Sequence, residues 1–208
     1  PVAFNFTSDI DLKKLDTYLG YFTQGGLGLP DPTFYTRTDA GARALLGRYN
    51  GHVQRILALS GTPQSKVAGE AQLVIDLETR IARLSKTQTD LQGLRVNYNP
   101  VPTKDFAKKY RNLQLAAFLK AQNVTAEQVS MTDTALFAQI DKLAGSLKPA
   151  QWQAYLRFQV GNTMAPYLSK QWRDADHEFR GRLLRGEDEP TPRWRQVLDA
   201  INDSAGAM

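Results

Sequence analysis

The spacing of apolar positions changes once along the chain. Over residues 2–23, Val2, Phe4 and Phe6 alternate with small or polar residues, and Tyr18 to Phe22 is aromatic-rich. That period of two predicts strands. Thr7-Ser8-Asp9 and Asp11 supply turn chemistry, so the segment reads as a β-hairpin or two short strands. Residues 24–38 lose the period; Gly25, Gly26, Gly28, Pro30 and Pro32 predict a loop. From Asp39 onward the apolar residues recur at helical steps.

Thr38 or Asp39 can cap the first helix, and Gly61-Thr62-Pro63 ends it after Leu59. The next stretch, about 63–90, carries the plainest stripe: Val67, Ala71, Val74, Leu77, Ile81 and Leu84. Gly93 is the expected stop. Asn97 to Pro102 reads as a linker, since each proline pushes its predecessor out of the α region. Thr103 can cap a helix to about Tyr110, and a second piece covers Leu113–Gln122. Val129-Ser130-Met131 is a short extended segment, and Thr132 or Asp133 caps a helix through Leu143. Leu147-Lys148-Pro149 starts another, and two more lie near 168–184 and 191–203, separated by Gly186 and Pro190. One hairpin followed by about seven helices is a mainly α fold, a helical domain with a small N-terminal β-hairpin. The division is 1–38, hairpin and Gly-rich loop, and 39–208, helical domain, the two expected to form one compact unit.

A chain of 208 residues can bury one domain's core. No apolar run approaches the roughly 18 residues needed to span a bilayer. The opening Pro1-Val2-Ala3-Phe4 has neither an initiator Met nor a basic start and apolar stretch, so a processing or cloning boundary is expected there. With no cysteine, disulfides, a thiol nucleophile and Cys-based metal sites are excluded. The net charge of +5 raises nucleic acid as a partner. The basic residues are spread, however, and Arg180 to Arg185 is followed at once by Glu187-Asp188-Glu189, so a solvated mixed-charge surface is the reading and no nucleic-acid partner is assigned.

Candidate chemistry is sparse. The Gln24–Asp31 loop lacks both the Gly-Lys-Ser/Thr of a phosphate loop and a helix-opening Gly-x-Gly-x-x-Gly, so it reads as a tight turn. His52 and His177 stand far apart, and Gly181 sits where a second His would follow His177, so two surface or half-buried imidazoles are expected. Asp76, Glu78, Asp174, Asp176 and Glu178 read as surface charge. Trp152, Tyr155, Phe158, Tyr167, Trp172, Phe179 and Trp194 could stack ligands with nearby arginines, but at helical spacing they read as packing. No catalytic, metal or substrate-binding residue is assigned.

One ordered set of segments does point somewhere. Gln24-Gly25-Gly26-Leu27-Gly28-Leu29-Pro30-Asp31 with Phe34-Tyr35 is followed by Leu77-Glu78-Thr79-Arg80-Ile81-Ala82 and Asn97-Tyr98-Asn99-Pro100. Trp152, Tyr155-Leu156-Arg157-Phe158, Ala165-Pro166-Tyr167-Leu168-Ser169 and Pro192-Arg193-Trp194-Arg195 complete it. In this order they resemble the non-catalytic, mainly helical part of the neprilysin and endothelin-converting-enzyme family of zinc metallopeptidases. The chain departs from the family at Gln92-Gly93, where an Arg-Asp pair is usual, and at Phe34, a usual Tyr; it also has no His-Glu-x-x-His. The resemblance implies a fragment of a zinc endopeptidase that cleaves oligopeptides, with zinc activating water and a Glu as general base in a catalytic lobe absent here. This chain would be the helical cap enclosing the chamber, inactive alone and without a cofactor of its own, and the parent would be periplasmic or extracellular. Its partners would be peptide substrates, through the parent, and the missing catalytic lobe. Arg193 and Trp194 are the expected contact between lobes, and an exposed apolar patch is expected wherever that lobe docks. The alternative is a stand-alone helical peptide- or protein-binding module without catalysis.

Overall fold

The computed structural model describes residues 3–92 and 98–205. Strand β1 (Phe4–Asp11) pairs antiparallel with β2 (Lys14–Gln24), placing Phe6 opposite Phe22. Phe4, Phe6 and Phe22 pack edge-on or tilted at 4.7 to 5.4 Å, so the alternating face carries the buried rings. The hairpin is not alone. Pro100–Pro102, expected as linker, forms strand β3, and Gln128–Met131 forms β4. The sheet order is β1-β2-β4-β3, with β2 and β4 parallel and β3 and β4 antiparallel. Prolines are tolerated in β3 because it is an edge strand. Asn99 fixes its register by donating its N–H to Ser130 Oγ and its amide to Met131 O while accepting the Met131 N–H. Asn97 and Gly93 fall outside the described residues.

A single helical turn, α1 (Thr33–Thr36), forms inside the predicted loop because Asp31 accepts the N–H and hydroxyl of Thr33 at 2.8 and 2.6 Å. Helix α2 (Ala40–Leu59) starts where Asp39 accepts the Ala42 N–H, and it stops at Gly61, whose φ of 85° favours glycine. Helix α3 (Gln64–Ala82) buries Val67, Ala71, Val74, Leu77 and Ile81 as its stripe predicts, but it ends eight residues before the expected 90. The cause is tertiary. Gln24 in β2 donates its side-chain amide to Lys86 O at 2.7 Å and accepts the Lys86 N–H at 2.9 Å, diverting the backbone from helical pairing. Asp31 then takes the Gln88 N–H.

Thr103 does not cap α4 (Phe106–Lys109); it lies in a 3₁₀ turn, Thr103–Asp105, and its hydroxyl donates to Ala126 O. Helix α5 (Leu115–Ala121) ends at Asn123, in the left-handed region. Asp133 caps α6 (Thr134–Ser146), and Pro149 opens α7 (Pro149–Met164). After a 3₁₀ turn, α8 (Lys170–Asp176) passes directly into a π-wound stretch, His177–Arg185, which Gly186 terminates with a φ of 72°. Helix α9 (Arg193–Ala205) follows. The core has two main parts. Tyr49, Val53, Ile56, Val74, Tyr155 and Phe158 join α2, α3 and α7. Phe22, Phe106, Leu115, Met131 and Phe137 join the sheet to α4, α5 and α6.

Candidate functional site

The Gly-rich loop is held to the helical core by one carboxylate. Glu78, on α3, is fully buried, where surface charge was expected. Its Oε2 accepts the hydroxyls of Tyr35 and Tyr49, each at 2.7 Å, and its Oε1 accepts the Gln159 amide at 2.9 Å. Tyr35 in turn accepts the Gly28 and Leu29 N–H groups at 3.1 and 2.9 Å, and Tyr155 donates to Gly26 O at 2.8 Å. Gly28 is there because a Cβ would sit 1.8 Å from the Tyr49 hydroxyl. Gly26 adopts a φ of 87°.

Burial pushes the Glu78 carboxyl up to about 7, against the lowering pull of the Tyr49, Tyr35 and Gly28 donors. Burial and the nearby Glu78 charge hold the Tyr35 and Tyr49 hydroxyls above the usual phenol range. Among the described residues every buried side-chain N or O has a hydrogen-bond partner. The cluster is sealed from solvent and chemically an anchor: it fixes a loop and offers no face to a reactant. The signal for it was in the sequence, since Glu78 lies on the same apolar stripe as Val74, Leu77 and Ile81, all buried.

The other candidates lie apart. His52 is buried, not at the surface: it stacks on Phe179 at 4.6 Å, and its Nε2 bonds Asn162 Oδ1 at 2.8 Å. Burial pushes its pKa down to about 4, so the ring is neutral at pH 7. His177 is half-buried, and its ring blocks any side chain at Gly181, whose Cβ would meet His177 Nδ1. Asp76 accepts from Gln72, Asp174 pairs with Lys170 and Asp176 with Arg180. Glu178 pairs with Arg55 of α2. Among the described residues no group of three His, Cys, Asp or Glu side chains could hold a metal ion, so the donor set does not fit zinc.

Two apolar surfaces are left uncovered by the described residues. Tyr155 and Phe158 turn α7 inward, while Leu156, Val160 and Met164 leave it outward, 39%, 58% and 42% exposed. With Trp152, Leu168 and Trp172 they border a groove of about 960 Å³. On α9, Trp194, Val197, Leu198 and Ile201 stand 43% to 67% exposed at the i, i+3, i+4, i+7 spacing of one face. Of the expected contact pair, Trp194 is 67% exposed, and Arg193 donates to Gln196, on its own helix. Tyr155, Phe158 and Phe179 are core, whereas Tyr167 is exposed. Among the described residues no helix is long and apolar enough to cross a membrane.

The model of peptidase family M13 matches residues 1–208. The chain is 28% identical to endothelin-converting enzyme-like 1 of Rattus norvegicus over 209 residues, covering 98% of this chain and 27% of that protein. It is 23% identical to a neutral endopeptidase of Lactobacillus helveticus, covering 97% of this chain and 31% of that protein. Its fold superposes on the Mycobacterium tuberculosis zinc metalloprotease Zmp1 in its open state with a TM-score of 0.90 at 23% identity, over 99% of this chain and 32% of that one. The chain therefore spans about a third or less of the relatives it matches.

Proposed function

The chain belongs to peptidase family M13, and on that premise we propose that it is part of a zinc metalloendopeptidase that cleaves oligopeptides. In this reading the chain supplies the helical cap lobe over the active-site chamber, and zinc and the reacting groups come from the rest of the parent. Residues 1–38 and 39–208 act as one unit, because Glu78 binds Tyr35 and β2 pairs with β4. The parent works in the periplasm or outside the cell, and its substrates are peptides.

The observation that carries this reading is the pair of bare apolar faces on α7 and α9. An amphipathic helix such as α9 forms stably when its apolar side is covered. The relatives, of which this chain covers 27% and 32%, have further residues that can cover such a face. Arg193 and Trp194 then begin the contact between lobes, and Val197, Leu198 and Ile201 extend it.

The test uses the full-length parent. Val197→Glu with Ile201→Glu is expected to lower peptide hydrolysis and interlobe stability in the parent, and to leave the thermal unfolding of the 208-residue chain unchanged, because both positions are exposed in it. Full hydrolysis by the double variant, or hydrolysis by the purified 208-residue chain alone, refutes the cap reading. If the chain is a stand-alone binding module, there is no hydrolysis for the substitutions to lower.

A further inference from the structure

Helix α2 and the π-wound stretch enclose a cleft of about 620 Å³, within the usual range for a small-molecule site. Arg48, Gly51 and Arg55 line it from α2; Glu178, Phe179 and Arg182 line it from the other side. The spacing on α2 puts its three residues on one face, the arginines about 10 Å apart along the axis. Across the cleft, π winding widens each turn, so Glu178 and Arg182 are neighbours on the inner side together with the Phe179 ring. Such insertions recur at functional sites.

Three features separate this cleft from an ordinary seam. The first is charge: three arginines against one glutamate leave an excess of two positive charges. Glu178 is engaged by Arg55, whereas Arg48 and Arg182 form no ion pair among the described residues. The second is the floor, which Phe179 closes, a ring 4% exposed and stacked on His52. The third is Gly51. It sits in mid-helix, where glycine weakens the helix, yet a Cβ there would meet nothing within 4 Å. Among the described residues, neither a left-handed φ nor a close neighbour requires it. With no side chain, Gly51 leaves this wall of the cleft open.

We propose that the cleft binds an organic anion, a carboxylate or phosphate carried on a flat apolar body. The oxyanion is bridged by Arg48 and Arg182 and the body lies over Gly51 against Phe179. Planar guanidinium groups suit either oxyanion by paired N–H donation. The site is independent of the cap reading, since it lies within this chain and uses neither apolar face assigned to the missing lobe.

The test titrates 3-phenylpropionate and phenyl phosphate into the 208-residue chain, followed by protein NMR shifts at low and raised ionic strength, with 3-phenylpropanamide as the uncharged control. At least one anion is expected to bind and to weaken with salt. A preference for one anion distinguishes a carboxylate from a phosphate source. Arg48→Ala and Arg182→Ala are each expected to weaken binding about tenfold. Gly51→Leu is expected to abolish it while the protein remains at least as stable, because Leu is the better helix former and its Cβ has room. The proposal is overturned if neither anion binds, if the uncharged amide binds as tightly, or if Gly51→Leu folds and binds like the parent sequence.

Discussion

Replacing Glu78 by Gln isolates what burying this carboxylate does to stability. Among the described residues no salt bridge reaches Glu78, so its charge is met only by the two tyrosine hydroxyls and the Gln159 amide. Burial sets its folded pKa at about 7, against 4.5 when unfolded. Between those values the folded protein holds a proton that the unfolded chain gives up. Stability associated with the group is therefore full below about pH 4.5, falls as pH rises towards about 7, and is level above. A displacement of that size corresponds to roughly 3 kcal/mol. In Glu78→Gln the side chain is neutral at every pH: its carbonyl accepts both tyrosines, and a flipped Gln159 amide accepts its N–H. The difference between variant and parent cancels every other titrating group. Urea unfolding midpoints from pH 4.5 to pH 8 at constant ionic strength are expected to show that difference moving in favour of the variant by about 3 kcal/mol. A difference flat to within about 0.5 kcal/mol across the range would refute the reasoning, because the carboxylate would then be ionised in the folded state throughout.

Substitutions at two further positions probe how the chain is tied together. Gly28→Ala places a methyl 1.8 Å from the Tyr49 hydroxyl, so Tyr49 must leave Glu78 or the loop must lift; a loss of roughly 3 kcal/mol in chemical denaturation is expected, and a loss near zero would show the loop free to move. Asp141→Ala removes the acceptor of the Asn112 and Leu113 N–H groups, both at 2.9 Å, and should cost about 2 to 4 kcal/mol. Asp141→Asn keeps an oxygen for both and should lose about half as much, measured in the same unfolding experiment. Equal losses for Ala and Asn would mean that the carboxylate charge, not its acceptor geometry, is what matters.

The elements that depend on neighbours in sequence were legible; those that depend on distant partners were not. Asp39 and Asp133 cap helices where the pattern places them, Gly61 stops the first of these and Gly186 stops the π-wound stretch, since a cap bonds only to the next turn. The end of α3 could not be read, because Leu84 and Leu91 continue the apolar spacing and the break comes from Gln24, 62 residues away. Strand β3 was hidden by its prolines, which exclude a central strand but not an edge. His52 and Asn162 lie 110 positions apart, so nothing local marked the histidine as buried. Glu78 differs from these: its position on the stripe says buried, its charge says exposed, and from sequence alone the charge outweighs the stripe. Two tyrosines and a glutamine from three other segments reverse that choice.

Helix α7 shows why the apolar faces matter to the whole chain. Its sequence is apolar on nearly all sides, a pattern that cannot distinguish a core helix from one whose second partner is elsewhere. Packing separates the two sides. Tyr155 and Gln159 turn inward to Gly26 and Glu78, while Leu156 and Val160, the next residue along from each, turn outward to the bare groove. Adjacent residues on a helix point about 100° apart, so the two sets share a rigid backbone. The Gly-rich loop, the Glu78 anchor and the outer groove are thus fixed relative to one another. A partner seated on Leu156 and Val160 is positioned against the loop without touching it. Loosening the anchor, as Gly28→Ala does, should disturb that partner's seating even though the groove residues are unchanged.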